Sequence, residues 1–522
     1  MLLTRRETAF ITIALISLGE AYRILLIFPT CAKSHNILAK AVINNLVDAG
    51  HQVVHITCNP EKKRIANVTE IDVSFIGDKF LHVSGQGDGG VKLKNLVGTQ
   101  NIVDSFMFTY IIYLMNYELL CNESVVQFLS DKDQQFDVVI AEWMFSELTA
   151  GIAPLFRCPL VWICTTPEHW QVLRLIDEMP NPAYSEVLTN DTPLGFLEHL
   201  SVCCAVAKKL MFTYIIYPLE LYTYYTVYTS IAARREVTMP SYNEAAYNAS
   251  LMFLNSHPSY SKSTRIPQNA IHIGGYHISN KTEPLPKDLQ KIMDDAQDGV
   301  IFFSMGSNLQ SKHMSTHMKD SLLEMFSRIK QKVIWKFEEE LDNVPENVLL
   351  LKWAPQQSIL AHPNLKIFIT HGGQLSTTEA IHFGVPVIGI PVYGDQFANT
   401  KSAEIKGFGI AVTLAEDMAL ELNRAIKEIH TNPSFNDKVK QLSAMYHNRL
   451  VSPQRELVYW VEQVVQTQGV PHLRSPALHI PFYQKTYLDI IPMISLVLYS
   501  LYRIAKKFCF KKNNNSEKVK QS

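Results

Sequence analysis

The tightest constraint on this chain's fold is an apolar strand that hands over to an amphipathic helix and returns to a strand. "YRILLIFPT" at 22–30 reads as a buried strand. "NILAKAVINNLVDAG" at 36–50 carries Ile37, Leu38, Val42, Leu46 and Val47 at helical spacing, with Gly50 placed to end the helix. "QVVHIT" is the next strand. Strands joined through a helix lie parallel, so a parallel sheet with covering helices follows.

The pattern returns at 136–166, "FDVVIAEW…GIAPLFRCPLVWICT". A polar connector with Pro284 and Pro286 then precedes a fresh start: strands at 299–304, 332–337, 348–351, 366–370 and 386–390, with helices at 315–330 and 375–383. At 522 residues the chain exceeds one ordinary core. The expected fold class is α/β, two βα domains facing across a cleft. The boundaries read 22–283 for the N-terminal domain and 284–470 for the C-terminal one.

Net charge −1 offers no case for nucleic acid. The ends point to a membrane. Arg5 and Arg6 precede an apolar stretch, with Gly19 and Ala21 as small residues before a cleavage point, so 1–21 reads as a signal peptide. After a connector at 471–487, the apolar run 488–504 is expected to span a bilayer, with Arg503, Lys506, Lys507, Lys511 and Lys512 keeping 505–522 cytosolic. Lys518 and Lys520 stand in the K-x-K-x-x pattern of retrieval to the endoplasmic reticulum. The expectation is a single-pass type I protein of that membrane with a lumenal body. Sequons at Asn67, Asn122, Asn190, Asn248 and Asn280 agree with it. Eight cysteines without C-x-x-C spacing argue against a zinc or redox motif; any disulfide falls in the first half, its pairing open.

The chemistry concentrates at "FITHGGQLSTTEA", 368–380. Ligands of such folds bind where a parallel strand ends and a helix begins. Gly372 and Gly373 allow close backbone approach, and the helix start offers free N–H groups to a diphosphate, with His371 as a further donor. The bland alternative is a turn followed by a Ser376-x-x-Glu379 capping box. It leaves unexplained the ordered series around it: "WAPQQSILAHP", then F-x-T-H-G-G, then "FGVPVIGIPVYGDQ", spanning 353–396.

This series resembles the donor-binding signature of the UDP-glycosyltransferase family, which includes the UDP-glucuronosyltransferases, in its insect-type branch. The resemblance extends over nearly the whole chain. It implies the GT-B arrangement, with acceptor in the N-terminal domain and UDP-sugar in the C-terminal one. It implies that Trp353 stacks on uracil, Gln356 bonds the nucleoside and Glu379 takes the ribose hydroxyls. His371, Gly373, Ser376 and Ser307 would hold the diphosphate; Asp395 and Gln396 would grip the sugar. Leu375 departs from the family's asparagine, which leaves that contact to backbone, and Lys336 is an extra donor contact. His35 in "KSHNILAK" falls at the place of the catalytic base, kept neutral by the helix start. Glu142 stands where relatives carry an orienting aspartate.

No metal or cofactor is expected; UDP-sugar is a co-substrate, UDP-glucose favoured over UDP-glucuronate, and the acceptor a small lipophilic hydroxyl compound. A homo-oligomer is left open. The heptapeptide "MFTYIIY", at 107–113 and 211–217, reads as two buried helices or as the lining of an apolar pocket. "DKD" at 131–133 reads as solvated surface, and "GQGDGG" at 85–90 as a loop, not a dinucleotide site. The rival reading is a family member that binds without transfer, kept open by Glu142.

Overall fold

In the computed structural model, which describes residues 21–81, 93, 105–181, 195–261, 264–279 and 281–520, the alternation becomes two parallel sheets. The first holds β1 (Arg23–Phe28), β2 (Gln52–Thr57), β3 (Val68–Asp72), β4 (Val138–Trp143), β5 (Leu160–Cys164), β6 (Leu251–Leu254) and β7 (Ala270–His272), in the order β3-β2-β1-β4-β5-β6-β7. The second holds β8 (Val300–Ser304), β9 (Lys332–Lys336), β10 (Val348–Leu351), β11 (Leu365–Thr370), β12 (Val387–Gly389) and β13 (Gly409–Ala411), in the order β10-β9-β8-β11-β12-β13. Strands such as β4, β5 and β8 are buried along their whole length, which is why they read as unbroken apolar runs.

Strand order reverses between β1 and β4 in one sheet and between β8 and β11 in the other, and crevices open at those switch points. Helix α1 (Lys33–Asp48) begins three residues before the expected start, so His35 lies in its first turn. Gly50 ends it with φ of 95°, its N–H bonded to the Val47 carbonyl at 2.9 Å. Helices α2 (Phe106–Cys121) and α3 (Phe196–Arg235) carry the two copies of "MFTYIIY" and pack together, Phe106 edge-on to Phe212. Of the two readings left open, full burial does not hold: Met107, Met211, Tyr214 and Ile215 are exposed, while Phe108, Ile112, Phe212 and Ile216 line a cavity.

In the second sheet's half, α4 (Gln356–Leu360) and α5 (Gln374–Phe383) flank β11. Helix α6 (Pro453–Gln466) lies inside the stretch read as C-terminal domain, yet it returns to the first sheet. Leu457, Val461 and Val464, one helical face, bury against Tyr22, Ile24 and Val42. The halves also meet through Gln374 Nε2 on the Asn255 carbonyl at 2.9 Å and Tyr260 with Thr378 at 3.2 Å.

Residues Ser475–Ser522 form a separate unit. Its helix α7 (Ile491–Lys520) does not match the span expected at 488–504. Arg503, Lys506 and Lys507 fall within its first eighteen residues, so the apolar stretch ends at Tyr502, short of a bilayer's hydrocarbon core. Among the described residues only α3 is long and apolar enough to cross a membrane, and its second half is packed into the protein core through Tyr224, Tyr228 and Ile231. Residues 1–20 of the expected signal peptide, "GQGDGG", Asn190 and Asn280 lie outside the described residues. Asn67 and Asn248 are exposed, and Asn122 caps a helix with its side-chain oxygen.

Candidate active site

One cavity of about 2210 Å³ runs between the two halves, and every expected site residue except Glu142 lines it. Glu142 stands immediately behind the wall. It is the penultimate residue of β4, its side chain fully buried, and its Oε1 bonds His35 Nδ1. The extra methylene of glutamate therefore does not prevent the contact. His35 retains a 15% exposed side chain with Nε2 as its other ring nitrogen.

The electrostatics depart from the sequence reading. Burial pulls the His35 pKa down, but the charge and hydrogen bond of Glu142, with Asp395 adding from the other half, outweigh burial and raise it above the usual value. The helix start alone does not set the ring's charge; the buried carboxylate does.

Opposite lies the corner after β11. Gly372 has φ of 78°, a conformation that favours glycine. A Cβ on Gly373 would meet His371 Nε2 at 2.5 Å, and one on Gly306 would meet His371 Cε1 at 2.4 Å, so the imidazole lies between two bare backbones. Burial, with Lys336 nearby, brings the His371 pKa down to about 4, which leaves the ring neutral. The capping box does not form: the N-cap is Gly373, no side chain caps it, and Ser376 sits inside the first turn. Gln374 N–H is taken by Asp395 Oδ2 at 3.2 Å, while the amides of Leu375 and Ser376, residues that line the cavity, have no acceptor within their own helix.

Asp395 also accepts from Asn399 at 2.7 Å, and burial raises its pKa against those bonds. Gln396 Oε1 is committed to the backbone of Val392 and Tyr393, at 2.9 and 3.1 Å. Trp353 is 64% exposed, an open indole face on the cavity. Glu379 is buried and accepts from Gln356 at 2.5 Å and Gln357 at 2.9 Å; Gln356 also donates to Ser376 at 3.2 Å. Ser307 lines the cavity after β8. The Lys336 amine donates to the Gly306 carbonyl at 3.0 Å and to Glu338 at 2.7 Å, and the residue lines the cavity. Leu375 packs with the apolar side chains of the first sheet's core.

Sequence reading missed Gln357, Gln374, Asn399 and His277. The first three sit beside motif residues; His277 gave no local signal. Asp131 and Asp133 form an exposed turn, and no group of three potential metal ligands occurs among the described residues.

This geometry has known counterparts. Residues 23–521 match the family model described as "UDP-glucoronosyl and UDP-glucosyl transferase". The chain is 31% identical to UDP-glucosyltransferase 2 of Dactylopius coccus, covering 97% of this chain and 98% of that one. It is 25% identical to human UDP-glucuronosyltransferase 2B15, covering 93% and 92%. Among solved structures, a UDP-glucosyltransferase from Polygonum tinctorium superimposes with a TM-score of 0.56 at 14% identity, over 86% of this chain and 99% of that one, which shows the GT-B fold. With one relative at this identity along its full length and the family model spanning both sheets, the chain belongs to the UDP-glycosyltransferase family and is a UDP-glycosyltransferase.

Proposed function

We propose that the enzyme transfers a hexosyl group, from UDP-glucose in preference to UDP-glucuronate, to a hydroxyl of a small lipophilic acceptor, with inversion. The observation that carries this reading is the His35–Glu142 pair facing Asp395 across the cavity. With Nδ1–H donated to Glu142, Nε2 is free to take the acceptor's proton as its oxygen attacks the anomeric carbon. The imidazolium that forms is balanced by the buried carboxylate. The departing diphosphate is received by the first-turn amides of α5 and by neutral His371, groups that are aligned before charge develops. Trp353 stacks on the base, Gln356 bonds the nucleoside and Glu379 accepts the ribose hydroxyls. Ser307, Gly373 and Ser376 border the diphosphate, and Asp395 and Gln396 the sugar.

Phe108, Ile112, Phe212 and Ile216 make an apolar wall suited to a lipophilic acceptor. The glucose preference is supported by the name of the Dactylopius relative. Glu142 reaching His35 favours transfer over binding alone. A lumenal, endoplasmic reticulum site is supported by the sequence of the two ends and by the Cys31–Cys58 disulfide, which belongs to an oxidising compartment. The exposed apolar turns Ile491–Tyr502 followed by basic residues support membrane attachment there. A panel of UDP-sugars against small phenols, read by product mass, tests the assignment. Hexosylated phenol with wild-type enzyme and none with His35→Ala is expected; UDP binding with no product from any donor would overturn it.

A further inference from the structure

The Glu379 carboxylate is approached from a direction the cavity does not reach. His277 has no exposed side-chain surface, does not line the cavity, and holds Nε2 at 3.5 Å from Glu379 Oε1. Neither of its ring nitrogens has a closer hydrogen-bond partner. A buried imidazole left this way costs free energy unless the neighbouring charge repays it. Burial by itself would raise the Glu379 pKa, yet His277, Gln356 and Gln357 together bring it below the usual carboxylate value.

His277 belongs to the chain crossing from β7 to β8, and that crossing is fixed on both sides. Tyr276 and Ile278 are buried next to it. Gln454 Nε2 bonds the Ile278 carbonyl at 2.7 Å, and Gln357, on α4, contacts the His277 carbonyl at 3.5 Å and the Ser279 N–H at 3.4 Å. Gln357 thus joins the crossing to the same carboxylate oxygen that faces His277.

We propose that His277, from behind, and Gln357, at the cavity edge, are positioning residues that fix Glu379 Oε1, so that the carboxylate reads the 2′-hydroxyl of the donor's ribose and the site selects ribonucleotide over 2′-deoxyribonucleotide sugars. The proposal rests on the reading of Glu379 as the ribose ligand. A carboxylate free to rotate would accept from whichever donor is nearest; one held at its back edge presents fixed lone pairs and distinguishes a donor with the hydroxyl from one without.

The test compares His277→Ala, His277→Gln and Glu379→Gln with wild type, using the UDP-sugar turned over best and its 2′-deoxy counterpart. For His277→Ala, KM for the ribo-donor rises on the order of tenfold with kcat nearly unchanged, the scale of one bond to a charged group. With the 2′-deoxy donor the loss shrinks to about twofold or less. His277→Gln, which keeps an N–H donor, recovers most of the discrimination. An equal loss with both donors makes His277 merely structural and overturns the proposal, as does no loss with either. Glu379→Gln separates the two levels. If it discriminates poorly between donors while His277→Ala discriminates like wild type, only the proposal falls. If wild type and Glu379→Gln handle both donors alike, the reading of Glu379 itself falls.

Discussion

Replacing Glu142 by glutamine removes one charge and almost no volume, and its effect can be worked out from the site. The His35 side chain is 15% exposed and that of Glu142 is fully buried, so solvent screens the pair weakly. An imidazolium formed during transfer would then face a neutral amide. Removing one partner of a buried charge pair costs about 3 kcal/mol or more, on the order of a hundredfold in kcat. The pH profile supplies an independent sign. Glu142 opposes burial to raise the His35 pKa, and only neutral His35 acts as base, so wild-type activity falls as pH drops through that raised value. Without the carboxylate, burial is opposed by Asp395 alone, the pKa drops, and the acid limb moves to lower pH. The expected result is a variant slower at its optimum whose remaining activity persists further into acid. The assay is kcat against pH at saturating UDP-sugar, with UDP affinity as control, since Glu142 lies off the diphosphate corner. A limb that stays put or moves up, or an unchanged kcat, refutes the reasoning.

Gly373→Ala has ordinary φ but drives its Cβ into His371, so KM for UDP-sugar should rise at least about tenfold, measured by donor titration, with a change in Tm of only a few degrees. Trp353→Ala removes a largely exposed indole; the fold should keep its Tm while UDP affinity falls by about 1–3 kcal/mol of lost stacking, measurable by calorimetry. Cys58→Ser opens the bridge to Cys31, across 27 positions, and should lower stability by about 3 kcal/mol in a denaturant melt. Activity should fall with it, because Cys31 stands four residues before His35.

Much of the site was legible because its signals are local. The period of apolar residues, Gly372 and Gly373 after β11, and the ordered series from Trp353 to Gln396 are read within a few residues of each other. So was His35, carried in the first turn of α1. What local reading left open is which groups meet once the chain is folded. Ser376 and Glu379 have the spacing of a capping box, the alternative set aside above, and the helix begins at Gln374, so neither is at a cap position. That the Lys336 amine also bonds the Gly306 carbonyl, thirty positions earlier, is seen only in the folded chain.

By itself, the sequence determined the two parallel βα halves, the glycine corner after β11 and the family, since strand and helix periods and glycine placement are properties of neighbouring residues. Tertiary structure alone decided that the two "MFTYIIY" helices wall a cavity, that α6 returns to the first sheet, that His277 stands behind Glu379, and that the His35 pKa is raised. Those outcomes depend on burial and on charges brought together from distant positions, and free energies of that kind exist only once the chain has closed on itself.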